Sequence, residues 1–515
     1  MNRKVLWADD EIDLLKSHVI FLEKNGYDIM PVTNGHDAIE LVKIKTFDAV
    51  ILDEMMPGLD GLSVLAEIKQ LDPDLPVVMI TKSQEEHIMD DAIGSKISDY
   101  LIKPVNPSQI YTTLKRLLDS KQLRSERISR DYARQANQNR MELAMGLDHT
   151  GWAQIYTSLS KWNIELDEFN DPGLEQIHSD QKKEFRREFS KYVEKNYRSW
   201  IEGNGPVLSH KLLDKYVAPL LKNNEKVYYI VIDCFRLDHW IAIEPLLDTM
   251  FHVERNIYYS LLPTATPFGR NSLFAGLLPS EIANIFPDIW HSKDDNESGM
   301  NLYEPDLLEM YLTRAGIRLG QKPHYVKILT TEHARSFLKK ITSLKENRLV
   351  SIVYNFIDLL SHQMAKNDIL QEIAPDEAAF RNLTKTWFNH SVLLEILQAI
   401  ADEGATVVIT SDHGSITGER ASIVRGDRTT STTVRYKYGK NLRCEPSEVF
   451  FVGEPLEYGL PSLGFGTNYL FAKDDYYLIY KNKFREFEKL YNNTLQHGGI
   501  SMEEMILPVG ILRPR

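Results

Sequence analysis

The chain has 515 residues, 43% apolar and 26% charged, with a formal net charge of -13. That length predicts about three globular domains with ample core, and the acidity argues against broad binding to DNA or acidic membranes. Two cysteines, Cys234 and Cys444, leave no disulfide framework and no thiolate zinc finger, and no window approaches the 18 or so uninterrupted apolar residues of a membrane span. The N-terminus lacks a signal-peptide apolar stretch, so the expected location is cytoplasmic, without membrane insertion.

The first 120 residues alternate strand and helix patterns. An apolar strand over 5–8 is closed by Asp9-Asp10-Glu11, and the helix that follows stops at Asn25-Gly26. Strands over 49–52, 75–80 and 100–102 end in Asp53, Thr81 and Lys103-Pro104. This alternation predicts a doubly wound parallel sheet. Its polar residues fall at the strand ends, on one rim. Three carboxylates meeting there would repel one another unless a hard cation joined them, and Mg²⁺ suits such a site. A lysine and a hydroxyl beside them supply what a transferred phosphoryl group needs. The ordered set resembles the response-regulator receiver domain, which implies Asp53 as phosphoacceptor and Mg²⁺ held by Asp9, Asp10 and Asp53. It also implies Thr81 and Lys103 on the phosphoryl group and Tyr100 as the aromatic switch.

Residues 121–222 read as a helical linker module. The stretch 111–145 is rich in Arg, Gln and Asn with few breakers. Residues 181–200 are amphipathic, with Phe185, Phe189, Tyr192, Val193 and Tyr197 on one face. Asp171-Pro172-Gly173 separates two helices, and 208–221 is a further helical run with Pro219 near its end. The basic face over 182–191 reads as a solvated helix surface.

From residue 223 to the C-terminus the pattern is that of an α/β output domain. The run 227–232 is unbroken and apolar, as in a central parallel strand, and it ends in Asp233. Strand 350–356 runs into Asp358 and His362, and strand 405–410 runs into Asp412-His413. His497 precedes Gly498-Gly499, which allow close backbone approach. Three Asp and three His with no Cys suit Zn²⁺ or Mn²⁺, and two such ions can clamp a phosphoryl group. After a strand expected over 257–262, Thr266-Pro267 has the form of a helix start, with the hydroxyl at the N-cap and proline at the first helical position. A threonine there, facing a metal, can attack phosphorus.

This joint pattern resembles the alkaline phosphatase superfamily. Pro263-Thr264-Ala265-Thr266 and His497-Gly498-Gly499 are especially similar to its nucleotide pyrophosphatase/phosphodiesterase branch. That resemblance implies Thr266 as nucleophile, one zinc on Asp233, Asp412 and His413, and a second on Asp358, His362 and His497. Phe268-Gly269-Arg270 departs from that branch and, with Asp233-x-x-Arg236, resembles the PglZ subgroup. Arg270 and Asn271 are candidates to hold a phosphate oxygen, and Arg270 is equally a candidate structural ion-pair partner.

The whole architecture resembles response regulators with a PglZ-type output domain tied to type IX secretion. The resemblance implies a sensor histidine kinase, a sigma-factor partner and a phosphorylation-linked homodimer. The first functional expectation is a phosphorylation-controlled zinc phosphodiesterase acting on nucleotides or oligonucleotides. The second, from another class, is a metal-stiffened module that docks a sigma factor with little or no physiological catalysis.

Overall fold

The computed structural model describes residues 3–82, 97–169, 171–290, 300–364, 367–427, 431, 433–482 and 484–515. The chain forms two units, Met1–Gln135 and Ala136–Arg515.

In the first unit, β1 (Arg3–Ala8), β2 (Tyr27–Val32), β3 (Ala49–Asp53), β4 (Val77–Thr81) and β5 (Asp99–Ile102) form one parallel sheet. Its order is β2-β1-β3-β4-β5. β3 and β4 are buried throughout, as their apolar runs require of central strands. Apolar layers cover both faces, one around Trp7 and Ile51 and the other around Leu6 and Leu52. The order of the strands reverses between β1 and β3, so Asp9 and Asp53 meet at the point where ligands bind in open sheets.

In the second unit a six-stranded sheet carries the site. Its parallel strands are β6 (Val227–Ile232), β8 (His324–Ile328), β9 (Leu349–Tyr354) and β10 (Thr406–Thr410). The C-terminal strand Ile506–Pro514 runs antiparallel between β10 and β7 (Phe251–Tyr259). β6 is buried along its whole length between β10 and β9. Odd-numbered residues of β6 pack into one core and even-numbered residues into another, as strand geometry demands.

Two expectations change here. The strand expected over 257–262 is β7, which starts at Phe251 and ends at Tyr259. Its polar first half, His252 to Asn256, is that of an edge strand, and its pairing with residues 506–514 is set by a partner some 250 residues away. The run 208–221 is not one α-helix. It breaks into a 3₁₀ turn (Ser209–Lys211), a π turn (Leu213–Val217) and a short α-helix (Ala218–Lys222). Pro219 has no N–H to continue the preceding ladder.

The helix Pro107–Met145 spans the polar stretch. It is followed by the helices His149–Phe169 and Pro172–Ile201, the latter capped by the Asp171 carboxylate. Trp152, Phe185, Phe189 and Tyr197 share a single core with Tyr229 and Tyr258 of the sheet and Phe268 of the helix Thr266–Ala275. From residue 136 onward, therefore, the helical segment is built into the output unit. Among the described residues no helix is long and apolar enough to cross a membrane.

Candidate metal centre and receiver site

In the first unit, Asp9, Asp10 and Asp53 offer carboxylate oxygens that all lie within 4.8 Å of one another. Asp9 and Asp53 are buried, and Asp10 is exposed. Lys103 Nζ, delivered by the end of β5, lies 2.9 Å from Asp53 Oδ1 and 3.3 Å from Asp9 Oδ2. Burial pushes the Asp53 carboxyl above its usual range, and the Asp9 charge adds to that against the pull of Lys103. Burial works against the Lys103 ammonium, but the hydrogen bonds and charges of Asp53 and Asp9 together outweigh it and the pKa is raised. Thr81 is buried at the end of β4 and donates to the Glu54 carboxylate. Tyr100 on β5 is half exposed. The rim can hold a divalent cation and present one carboxylate to a phosphoryl donor.

In the second unit, the ends of β6 and β10 bring Asp233 beside Asp412 and His413. Their ligand atoms lie within 4.8 Å of one another, and all three side chains are buried. His413 Nε2 is 3.5 Å from Asp233 Oδ1 and 4.0 Å from Asp412 Oδ1. Its Nδ1 is 3.1 Å from the Gly414 carbonyl. A carbonyl can only accept, so Nδ1 carries the proton and Nε2 turns its lone pair toward the two carboxylates. Burial, reinforced by His497, holds the imidazole pKa well below its ordinary value, so the ring is neutral.

The helix Thr266–Ala275 aims the nucleophile candidate into this cluster. Thr266 Oγ1 lies 3.0 Å from His413 Nε2. The N-cap is Ala265 in extended conformation, with Thr266 at the first helical position and Pro267 at the second. The helix thus starts one residue away from where the sequence pattern places it. The hydroxyl is free to face the cluster because it does not cap the helix. Gly269, on the next turn, lets the helix lie against the Asp412 backbone. A Cβ there would meet the Asp412 carbonyl oxygen at 2.6 Å.

A second cluster adjoins the first. Asp358 and His362 share a face of the helix Phe356–Met364 at i, i+4 spacing, as the sequence predicts. Their atoms and those of His497 lie within 4.8 Å of one another. His362 Nε2 is 3.4 Å and His497 Nε2 3.9 Å from Asp358 Oδ1. The His497 ring stacks on His413 at 4.2 Å, which places the two clusters side by side. Gly498 after it has φ +120, a conformation that L side chains rarely adopt.

Asp233 Oδ1 and Asp412 Oδ2 are buried and have no hydrogen-bond partner. Two adjacent carboxylates left in that state are costly unless a cation accepts their unused lone pairs. Burial and the Asp233 charge together push the Asp412 carboxyl well up. Burial pulls Asp233 the same way, but the Arg270 guanidinium together with His413 and His497 outweighs it and holds that carboxyl down. With oxygen and imidazole donors and no thiolate, both clusters fit divalent metals.

Arg270 and Asn271 are deeply buried. Arg270 Nη1 is 2.6 Å from Asp233 Oδ2 and its Nε is 2.6 Å from Glu304 Oε1. Of the two roles open to it in the sequence, the geometry matches the structural ion pair. Asn271 Nδ2 donates to the Met300 carbonyl at 3.0 Å.

Sequence reasoning missed several groups that set this geometry. Asn355 Nδ2 donates to Asp233 Oδ2 at 2.7 Å, and Ser260 Oγ donates to the Asp412 carbonyl at 2.7 Å. Asn355 directly follows β9, the same signal that marks the ligands. Ser260 directly follows β7, but the strand expected over 257–262 enclosed it and hid the same signal, and Glu304 carries none.

Residues 212–511 match the family model for the BREX system PglZ alkaline phosphatase-like domain. Residues 5–115 match the response regulator receiver domain, and residues 122–201 match the PorX response regulator linker domain. Among curated proteins, the chain is 32% identical over 120 residues to the alkaline phosphatase synthesis transcriptional regulatory protein PhoP of Bacillus subtilis, covering 23% of this chain and 49% of that protein. It is 28% identical over 134 residues to the transcriptional regulatory protein SrrA of Staphylococcus aureus, covering 26% and 55%. The chain thus spans about half the length of the curated relatives it matches. Among solved structures, the receiver domain of the Francisella response regulator 1452 is 28% identical, with 23% of this chain and 98% of that one covered and a TM-score of 0.22. A receiver domain protein from Clostridium thermocellum is 26% identical, with 24% and 98% covered and a TM-score of 0.23.

Proposed function

This chain belongs to the PglZ alkaline phosphatase-like family and is a PorX-like two-component response regulator, and from that premise we propose that it is a phosphorylation-controlled, zinc-dependent phosphodiesterase with Thr266 as its nucleophile. The observation that carries this reading is the Thr266 hydroxyl, 3.0 Å from His413 Nε2 at the start of a helix, against a buried cluster of two carboxylates and an imidazole.

The receiver implies a sensor kinase that phosphorylates it, with Asp53 as acceptor and Mg²⁺ on Asp9, Asp10 and Asp53. In the output unit, two zinc ions held by Asp233, Asp412 and His413 and by Asp358, His362 and His497 would acidify the Thr266 hydroxyl, neutralise the leaving oxygen and activate water. Thr266 Oγ1 attacks phosphorus, a P–O bond to the alcohol breaks, and a phosphothreonine ester forms. The helix N-terminus beneath it favours the anion. His413, fixed by Gly414, keeps its Nε2 on the hydroxyl, and Arg270 and Asn355 fix the Asp233 carboxylate beside that imidazole without rearrangement. Hydrolysis of the ester regenerates Thr266. Nucleotides or oligonucleotides are the proposed substrates. A place in the control of type IX secretion is part of this proposal, on the resemblance of the whole architecture.

The test strips the protein with a chelator and reloads it with Zn²⁺, Mn²⁺ or Mg²⁺. Hydrolysis of bis-p-nitrophenyl phosphate is then compared with that of the monoester p-nitrophenyl phosphate. The reading expects diester cleavage to vanish on stripping and return with Zn²⁺. Loss of both activities in a protein confirmed to carry two zinc ions contradicts it.

A further inference from the structure

A chain of buried ion pairs runs from the two linker helices to the loops that carry the metal-ligand candidates. It begins at Asp167, on the helix His149–Phe169. Arg381 clamps that carboxylate through Nε and Nη2, at 3.0 and 2.7 Å, while its Nη1 reaches Asp238 Oδ2 at 2.6 Å. Asp238 also takes a fork from Arg236, at 2.9 Å from Nε and 2.5 Å from Nη2. Arg236 lies three residues after Asp233. Its Nη1 donates to the Ser415 carbonyl at 3.3 Å, two residues after His413. One guanidinium therefore joins the loop of Asp233 to the loop of Asp412-His413.

A second branch starts at Arg186, on the helix Pro172–Ile201, whose guanidinium lies 2.7 Å from Glu503 Oε1. The Glu503-Glu504 segment touches the ligand loops through both backbone and side chain. Gly414 N donates to the Glu504 carbonyl at 3.1 Å, and Gly499 N, two residues after His497, donates to Glu504 Oε1 at 2.8 Å. The packing leaves no slack: a Cβ on Gly414 would fall 1.9 Å from the Glu503 carbonyl oxygen. Glu377 lies between the branches, 3.1 Å from Lys182 and 3.7 Å from Arg236.

Five of these charged groups, Arg186, Arg236, Asp238, Arg381 and Glu503, are buried, and Glu377 between them keeps only 19% of its side chain exposed. Isolated ion pairs at such depth are weak evidence for stability, because desolvation cancels much of their attraction, and apolar residues would fill the space as well. What the forked guanidinium–carboxylate pairs do provide is direction, since each fixes the angle as well as the distance between the segments it joins.

Resting on the metal-centre reading above, we infer that Asp167 and Arg186 of the linker helices are positioning residues for the metal centre, acting through Arg381–Asp238–Arg236 and through Glu503-Glu504 on the loops of Asp233, His413 and His497. The linker helices are then part of the structure that sets ligand geometry, and the output unit without them would hold its metals loosely.

The experiment uses the full chain loaded with Co²⁺, whose visible absorption reports ligand geometry. Asp167→Asn loosens the first branch. The double variant Arg186→Met with Glu503→Gln removes both charges of the second, so that no buried charge is left unpaired. Leu159→Ala, on the same helix as Asp167 but in its apolar core, is the control for lost stability. The inference expects altered Co²⁺ bands and roughly 10- to 100-fold weaker metal retention against a chelator in both network variants. It expects the wild-type spectrum and retention in Leu159→Ala at a comparable or larger loss of thermal stability. Network variants whose spectra and retention superimpose on those of the wild type overturn it. A wild type that binds no Co²⁺ removes the metal reading itself, and this inference with it.

Discussion

Gly269→Ala is a small change with a large expected effect. Gly269 lies three residues after Thr266 on the same helix, where the helix rests on the Asp412 backbone. A methyl group there would sit 2.6 Å from the Asp412 carbonyl oxygen, against the 3.4 Å at which ordinary contact begins, so about 0.8 Å must be found. The obstacle is backbone, and that backbone leads directly into His413. Either the helix lifts or the ligand loop retreats. Both movements widen the 3.0 Å gap between Thr266 Oγ1 and His413 Nε2. Overpacking of this kind costs about 1–3 kcal/mol, which leaves a unit of this size folded. A misplacement near 1 Å at a reacting group costs on the order of 10²-fold in rate. We therefore expect Gly269→Ala to lose about a hundredfold in kcat on bis-p-nitrophenyl phosphate, with only a modest fall in thermal midpoint. The assay is steady-state turnover beside a thermal melt, on protein with verified metal content. Activity within twofold of wild type would show that the fit between this helix and the Asp412 loop does not set the chemistry.

Three further predictions concern other parts of the molecule. Arg270→Met leaves Asp233 and Glu304 buried without their shared cation and should destabilise the protein by about 3–5 kcal/mol in chemical denaturation, whereas a substrate-binding arginine would raise KM and leave stability alone. His178, His210 and His239 are buried, and burial lowers their pKa values from 6.5 to about 3, 4 and 3. The unfolded chain takes up these protons first, so stability is present above pH 6.5 and is lost as pH falls toward 4. At pH 5.5 the three should together cost about 4 kcal/mol relative to neutral pH. His239→Phe, packed between Phe235 and Phe380, should remove about a third of that loss, and an unchanged pH slope in this variant would refute the assignment. In the receiver, Asp53→Asn should abolish phosphorylation by acetyl phosphate in Mg²⁺, and with it any donor-dependent change in sedimentation. Residual labelling at another residue would displace Asp53 as acceptor.

The parts legible in the sequence are those whose chemistry is local to a strand end. Asp53 closes β3, Asp233 directly follows β6, and Asp412-His413 follow β10 by two and three residues, so an apolar run and its polar stop mark fold and ligand together. Asp358 and His362 follow from helical spacing alone. What the sequence hides is set by distant partners. Arg270 finds Glu304 34 residues later, and nothing near Glu304 advertises it. β7 takes its length from the C-terminal strand, not from its own polar first half. The linker helices look like a separate module because their apolar stripe fits any helical bundle, yet Phe185 and Phe189 pack into the core of the sheet. The helix start shifts by one residue because extended backbone at Ala265, followed by Pro267 at the second helical position, satisfies the same local pattern.

The most direct test of the central claim is turnover of bis-p-nitrophenyl phosphate by zinc-loaded Thr266→Ala, with metal content measured on the same sample. The account predicts that the variant keeps its zinc and loses diester cleavage by on the order of 10³-fold or more. A fully loaded Thr266→Ala that turns over at the wild-type rate would contradict it, because the residue that the whole centre is built around would then not be the nucleophile.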